Sequence, residues 1–98
     1  MSFKDSYDFG VLANEAERMV IEELERRLAE LGDPSICLCQ DCVLDMAAYA
    51  LNAVKPMYRV SLLGTMYVHA MDEGRYAQEI RKAVDAGIHR VHANPSHD

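Results

Sequence analysis

The 98-residue chain has no tryptophan, only two phenylalanines and three prolines, and no surplus of cations, since ten Lys and Arg stand against sixteen Asp and Glu for a net charge of -6. Each shortage excludes something. The acidity argues against wide nucleic-acid binding, because phosphate contacts need Lys and Arg in excess over one face. No apolar run approaches the roughly 18 to 20 residues that span a bilayer, and the start MSFKDSYDFG lacks the basic-then-apolar layout of a signal peptide. The chain is therefore expected in the cytoplasm, without a membrane partner. It has no H-E-x-x-H or H-x-E motif and no carboxylate marked as a general acid or base, so no enzymatic activity is expected.

What is present is the balance of an ordinary globular domain: 50% of residues are apolar and 27% charged, enough of the first to collapse and of the second to stay soluble. A chain of this length makes one domain, here residues 1–98, with 1–13 and 93–98 as flexible or partly ordered termini. It buries only about two-thirds of its unfolded surface. Its core is expected to be modest.

The periodicity predicts an all-α fold of three main helices. From Asn14 the sequence reads NEAERMVIEELERRLAELG, with Met19 or Val20, Leu24, Leu28, Ile21 and Leu31 recurring at three or four residues. Asn14 fits the N-cap, Glu17 the reciprocal capping carboxylate, and Gly32 with Pro34 the stop. Glu22 with Arg26, and Glu23 with Arg27, are expected i,i+4 pairs on a solvated face. A second helix starts near Asp41 and must end before Pro56; its apolar stripe is Val43, Ala47, Ala50, Leu51 and Val54, widened by Leu44 and Ala48. Tyr58 to Ser61 reads as a short extended link. The last third carries a stripe of Tyr67, Ala70 or Met71, Gly74, Ala77, Ile80, Val84, Ile88 and Val91, which predicts one long helix from about Thr65 to about His92. That length exceeds what a small monomer needs, and Ala70, Gly74, Ala77, Ala83 and Gly87 permit close helix approach. A homodimer with part of this helix in its interface is the expectation.

All three cysteines fall within SICLCQDC, at Cys37, Cys39 and Cys42. Three cannot all pair within one chain, and in a reducing compartment a close thiol cluster more often holds a metal than a disulfide. Cys39 and Cys42 have the two-residue separation that lets both thiolates face one ion, and in the first turn of a helix Cys42 is expected to have a lowered pKa. Three thiolates make most of a tetrahedral structural zinc site. A fourth ligand must come from a histidine, a carboxylate or a partner chain; His97 and His92 are the candidates. Buried apolar cysteines or a C-x-x-C redox pair are the competing readings. Lys55, Tyr58 and Arg59 place two cations around an aromatic, which suits stacking a base and holding a phosphate, or simple exposure. His69 and His89 read as surface or interface residues.

The run CLCQDCVLDMAAYALNAVKPMYRVS, with the Asn-Glu start of the first helix before it and VHANPSH after it, resembles the late-competence ComFB family. The elements that carry the resemblance are Cys37-x-Cys39-x-x-Cys42 leading into Asp45, Leu51-Asn52, Pro56-x-Tyr58, and Asn94-Pro95-x-His97. Such a resemblance implies a small, mostly helical, dimeric, zinc-containing protein with Cys37, Cys39 and Cys42 as thiolate ligands. Some relatives have a fourth cysteine near the end of the last helix, where this chain has His92. Certain members look like receptors for cyclic di-GMP or cyclic di-AMP that act through a protein partner such as a transcription factor. Asn52, Lys55, Tyr58 and Arg59 are then the expected nucleotide-binding residues, with a structural adaptor lacking a small-molecule ligand as the alternative.

Overall fold

The structure, a computed structural model, describes residues 2–60 and 73–95. After two short 3-10 turns, Phe3–Ser6 and Phe9–Val11, a strand β1 (Ala13–Asn14) leads into helix α1 (Glu15–Leu31). Helix α2 (Gln40–Ala53), strand β2 (Tyr58–Arg59) and helix α3 (Glu73–Ala93) follow. The long third helix is thus present from Glu73; its expected first turns, with Tyr67, Ala70 and Met71, lie outside the described residues, as do His69 and Ser61.

Local chemistry sets the ends of α1. The Asn14 side chain accepts the Ala16 N–H at 3.1 Å and also the Met57 N–H at 2.7 Å, so one amide oxygen caps the helix and ties it to the segment after α2. The Glu15 N–H donates to the Met57 carbonyl at 2.7 Å. These bonds dock β2 antiparallel to β1, Ala13 opposite Arg59 and Asn14 opposite Tyr58. The extended link is therefore half of a two-stranded ladder that the helical periodicity gave no sign of. Glu17, expected to complete the cap, is exposed, and its side chain makes no hydrogen bond among the described residues. At the other end Gly32 turns left-handed, φ 55°, and returns its N–H to Leu28, a conformation that glycine adopts without a Cβ clash.

The three helices share one core. From α1 come Ala16, Val20 and Leu24; from α2 come Cys42, Met46 and Ala50, with Val54 just past its end; from α3 come Tyr76, Ile80, Ala83, Val84, Ile88 and Val91. The α2 stripe is thereby rotated by about one residue from its expected phase: Cys42 and Met46 are buried, while Leu44 is 55% exposed and Ala48 faces solvent. On α1, Ile21 and Leu31 likewise lie outside the core. On α3, Gly74 is exposed and Tyr76 takes the buried place, its hydroxyl donating to the Lys55 carbonyl at 2.6 Å.

At Gly87 the backbone of α3 packs tightly against that of α2. A Cβ there would sit 2.8 Å from the Met46 carbonyl oxygen, so the small residue serves contact within the chain. The α1 surface charges pair differently from expectation: Arg18 with Glu22, Arg26 with Glu23 and Glu30, and Arg27 with Glu30 and with Asp85 of α3 at 2.7 Å. Packing turns Arg27 toward α3, which releases Glu23 to Arg26.

Candidate functional site

Helix α2 begins on a cysteine. Cys39 is extended, φ -69° and ψ 163°, and its sulfur accepts the Cys42 N–H at 3.4 Å, the capping bond that Ser or Asp more commonly supplies. Cys42 thereby falls in the first turn with its side chain in the core, Cys37 stands half-buried before the turn, and Cys39 is exposed. The three sulfurs lie within 4.8 Å of one another and form no disulfide. Zinc–sulfur bonds of about 2.3 Å in a tetrahedron place sulfurs about 3.8 Å apart, so the cluster needs only a small contraction to close on one ion. The donor set fits a soft tetrahedral cation.

The thiols are not equivalent. Burial, together with the neighbouring Cys39 and Cys37, pushes the Cys42 thiol up to about 12, so the lowered value expected from the helix terminus is reversed. Desolvation outweighs the dipole here. Cys37 moves the other way, because the Cys39 backbone N–H, and then the Cys39 and Cys42 side chains, stabilise its thiolate. Cys42 is therefore a ligand only when a cation beside it offsets the cost of its charge.

A small cavity of about 80 Å³ adjoins the cluster, and Cys37, Cys42, Met46, Val91 and His92 line it. The end of α3 does return to the start of α2, so that His92 lines the same cavity as Cys37 and Cys42. His92 does not join the close triad of sulfurs; it also faces Asp33, whose carboxyl is held down first by hydrogen bonds from Ser35 and in part by His92. His97 lies outside the described residues.

The second polar feature is a groove of about 750 Å³ at the opposite end of α2, bounded by the start of α1 and by β2. Tyr58, 61% exposed, and Arg59 stand on one wall, and Arg18 on the other. Between the cations lies Glu15, a carboxylate only 5% exposed. Arg59 Nε donates to its Oε1, and Arg18 Nε to its Oε2 at 3.0 Å. Those two guanidinium bonds, Arg59 first, hold the Glu15 carboxyl below its usual range. Of the four residues expected to bind a nucleotide, Tyr58 and Arg59 share this groove. Asn52 and Lys55 do not line it: the exposed Asn52 amide donates to the Ala48 carbonyl at 2.9 Å, and Lys55 is exposed beyond the end of α2. Glu15 was not singled out from the sequence, although it stands four residues before Met19, in line with the apolar stripe.

Comparison with known proteins shows the family. The family model described as late competence development protein ComFB matches residues 13–95, which include the cysteine cluster, both strands and all three helices. The chain belongs to the ComFB family. Among solved structures it is similar to the late competence protein ComFB from Bacillus subtilis, with 27% identity and a TM-score of 0.70 over 87% of this chain and 92% of that one. No curated protein sequence matches it. The aromatic segment before Ala13, with Phe3, Tyr7 and Phe9 in mutual ring contact, precedes the matched ComFB region. Among the described residues no helix is long and apolar enough to cross a membrane.

Proposed function

We propose that this ComFB-family chain is a non-enzymatic, cytoplasmic regulatory module that acts as a homodimer, is held together by a structural zinc, binds a cyclic dinucleotide, and passes that signal to a protein partner. The observation that carries the metal half is the trio of sulfurs within 4.8 Å at the start of α2. Cys37, Cys39 and Cys42 would hold the ion, with His92 or His97 as fourth ligand. Zinc there would supply folding energy to a domain whose core is small.

The nucleotide half rests on Tyr58 and Arg59. An exposed ring beside a guanidinium in an open groove suits a purine face and a phosphate. Glu15 supports the competing reading of a structural adaptor without a small-molecule ligand, because its carboxylate already occupies Arg59 and Arg18. A phosphate would have to use the outward guanidinium edges.

Metal analysis of reduced, unchelated protein is expected to give about one zinc per chain, and Cys39→Ser is expected to lower both metal content and melting temperature. Calorimetric titration with cyclic di-GMP and cyclic di-AMP, on the wild type and on Arg59→Ala, tests the receptor. Heat-silent titrations with an unchanged melting temperature would remove the receptor reading and leave the adaptor.

A further inference from the structure

Helices α1 and α2 leave an apolar groove on their outer side, about 730 Å³ in volume. Ile21, Leu24 and Leu28 form its α1 wall, and Leu44, Ala47 and Leu51 its α2 wall. The groove exists because α2 presents alanines, Ala47 and Ala48, where longer side chains would fill the space between the helices. Its two most prominent apolar residues are Ile21, 52% exposed, and Leu44, 55% exposed. Both lie outside the core, on a surface that aqueous solvent disfavours.

Charge around this groove is not distributed at random. Glu15, Glu22, Glu23 and Glu30 of α1 each pair with an arginine. Glu17 and Glu25 have no ion pair among the described residues, and both line the groove. With Ile21 between them they form one i,i+4 row, acid, apolar, acid, along the rim. The arginines of α1, Arg18, Arg26 and Arg27, do not line it.

From this combination we propose that the α1–α2 groove is the docking site for a basic amphipathic helix of the partner protein. The α1 wall runs from Glu17 to Leu28, about 16 Å or three helical turns, the length over which apolar anchors at i, i+3 or i+4 and i+7 seat in a groove. Lysines or arginines flanking those anchors would meet Glu17 and Glu25. A second copy of this chain fits less well: self-docking would bring two acidic rims together on molecules that each carry a net charge of -6. The proposal rests on the reading that the module acts through a protein partner, and is independent of whether it binds a nucleotide.

The test uses a labelled Leu/Lys amphipathic peptide of about four turns, followed by fluorescence anisotropy on the full chain. Saturable binding is expected, weakened about tenfold by Ile21→Gln and, separately, by Leu44→Gln; both sites are exposed, so circular dichroism should show the fold retained. Glu17→Gln with Glu25→Gln should weaken binding and flatten its salt dependence. The proposal is overturned by no binding, by equal binding of a Leu/Glu peptide or of a scrambled Leu/Lys peptide, or by undiminished binding to the Ile21 and Leu44 variants. Sedimentation supplies the remaining arm: if those variants turn a wild-type dimer into monomer, the occupant is a second copy and the proposal fails. A failed peptide titration beside a successful nucleotide titration sinks this inference alone.

Discussion

Replacing Gly87 by alanine sets two effects of known sign against each other. The position lies inside α3 and its φ is not positive, so on propensity alone alanine should stabilise the helix by about 0.8–1 kcal/mol. Against this, the new Cβ would stand 2.8 Å from the Met46 carbonyl oxygen and 3.5 Å from Tyr49 Cδ1. The first of these is backbone in the middle of α2 and has no rotamer to escape into, so the helices must separate. Overpacking of that kind costs about 1–3 kcal/mol, and the net expectation is a loss of up to about 2 kcal/mol. In a domain of this size each kcal/mol moves the melting temperature by about 4–8 °C. Ala86→Gly, at an exposed neighbour, measures propensity alone and should cost about 1 kcal/mol. Separation has a second consequence, because His92 follows Gly87 by five residues, about 7.5 Å along the helix, and Cys42 precedes Met46 by one turn. Moving α3 outward draws His92 away from the thiols, so Gly87→Ala should also weaken cobalt or zinc binding in a competition titration. A higher melting temperature for Gly87→Ala would refute the reasoning, since it would mean that α2 and α3 part at almost no cost.

Glu15→Gln should cost about 1.5–3 kcal/mol at neutral pH, the worth of hydrogen bonds to charged groups, discounted toward the lower figure by the partial exposure of Arg59 and Arg18. The Glu15 carboxyl is depressed in the folded state, so its contribution is complete above the unfolded value of about 4.3 and is lost as pH falls through the lower folded value. Urea unfolding across that range should show the gap between wild type and variant closing at acid pH; a gap that stays constant would contradict the assignment. Asn14→Ala removes an N-cap worth about 1 kcal/mol and also strands the Met57 N–H, for a further 1–3 kcal/mol or so. A loss in chemical denaturation no larger than a cap alone would show that the Asn14–Met57 bond contributes nothing.

The sequence made legible what depends on near neighbours. Asn14, Gly32, the start of α2 near Asp41 and the stop before Pro56 are local events, and the structure places them at or within a residue of where the residue types indicate. The α2 core phase was less legible, because Val43, Leu44, Met46, Ala47, Ala48, Ala50 and Leu51 cover most of the helix circumference. An apolar moment that weak leaves the buried face to be chosen by tertiary contact, here by Gly87 drawing in Met46. β1 is two residues long, too short for any period, and its partner β2 lies more than forty residues away. Glu15 went unnoticed because a carboxylate on an apolar stripe reads as surface until two arginines from different elements are seen to close on it. The cysteine cluster was visible from spacing alone, whereas the nearness of His92 follows only from α3 running back along α2.

The geometry also limits how the two polar features can act on one another. The sulfurs sit at the N-terminal end of α2, and Tyr58 and Arg59 follow its C-terminal end, so the 14-residue helix, about 21 Å long, runs between them. A metal at the first site could neither touch nor polarise a ligand at the second. Any influence would pass through α2 as a rigid rod, and a helix anchored at both ends transmits loss of structure more readily than a graded shift. Removing the thiol cluster should therefore weaken the proposed nucleotide binding at the Arg59 groove only to the extent that it unfolds α2. The α1–α2 groove lies along the same rod, between the two ends. A ligand that reset Glu15 at the start of α1 would shift the wall that carries Glu17, Ile21 and Glu25, and so reach the proposed partner surface without involving the proposed metal at all.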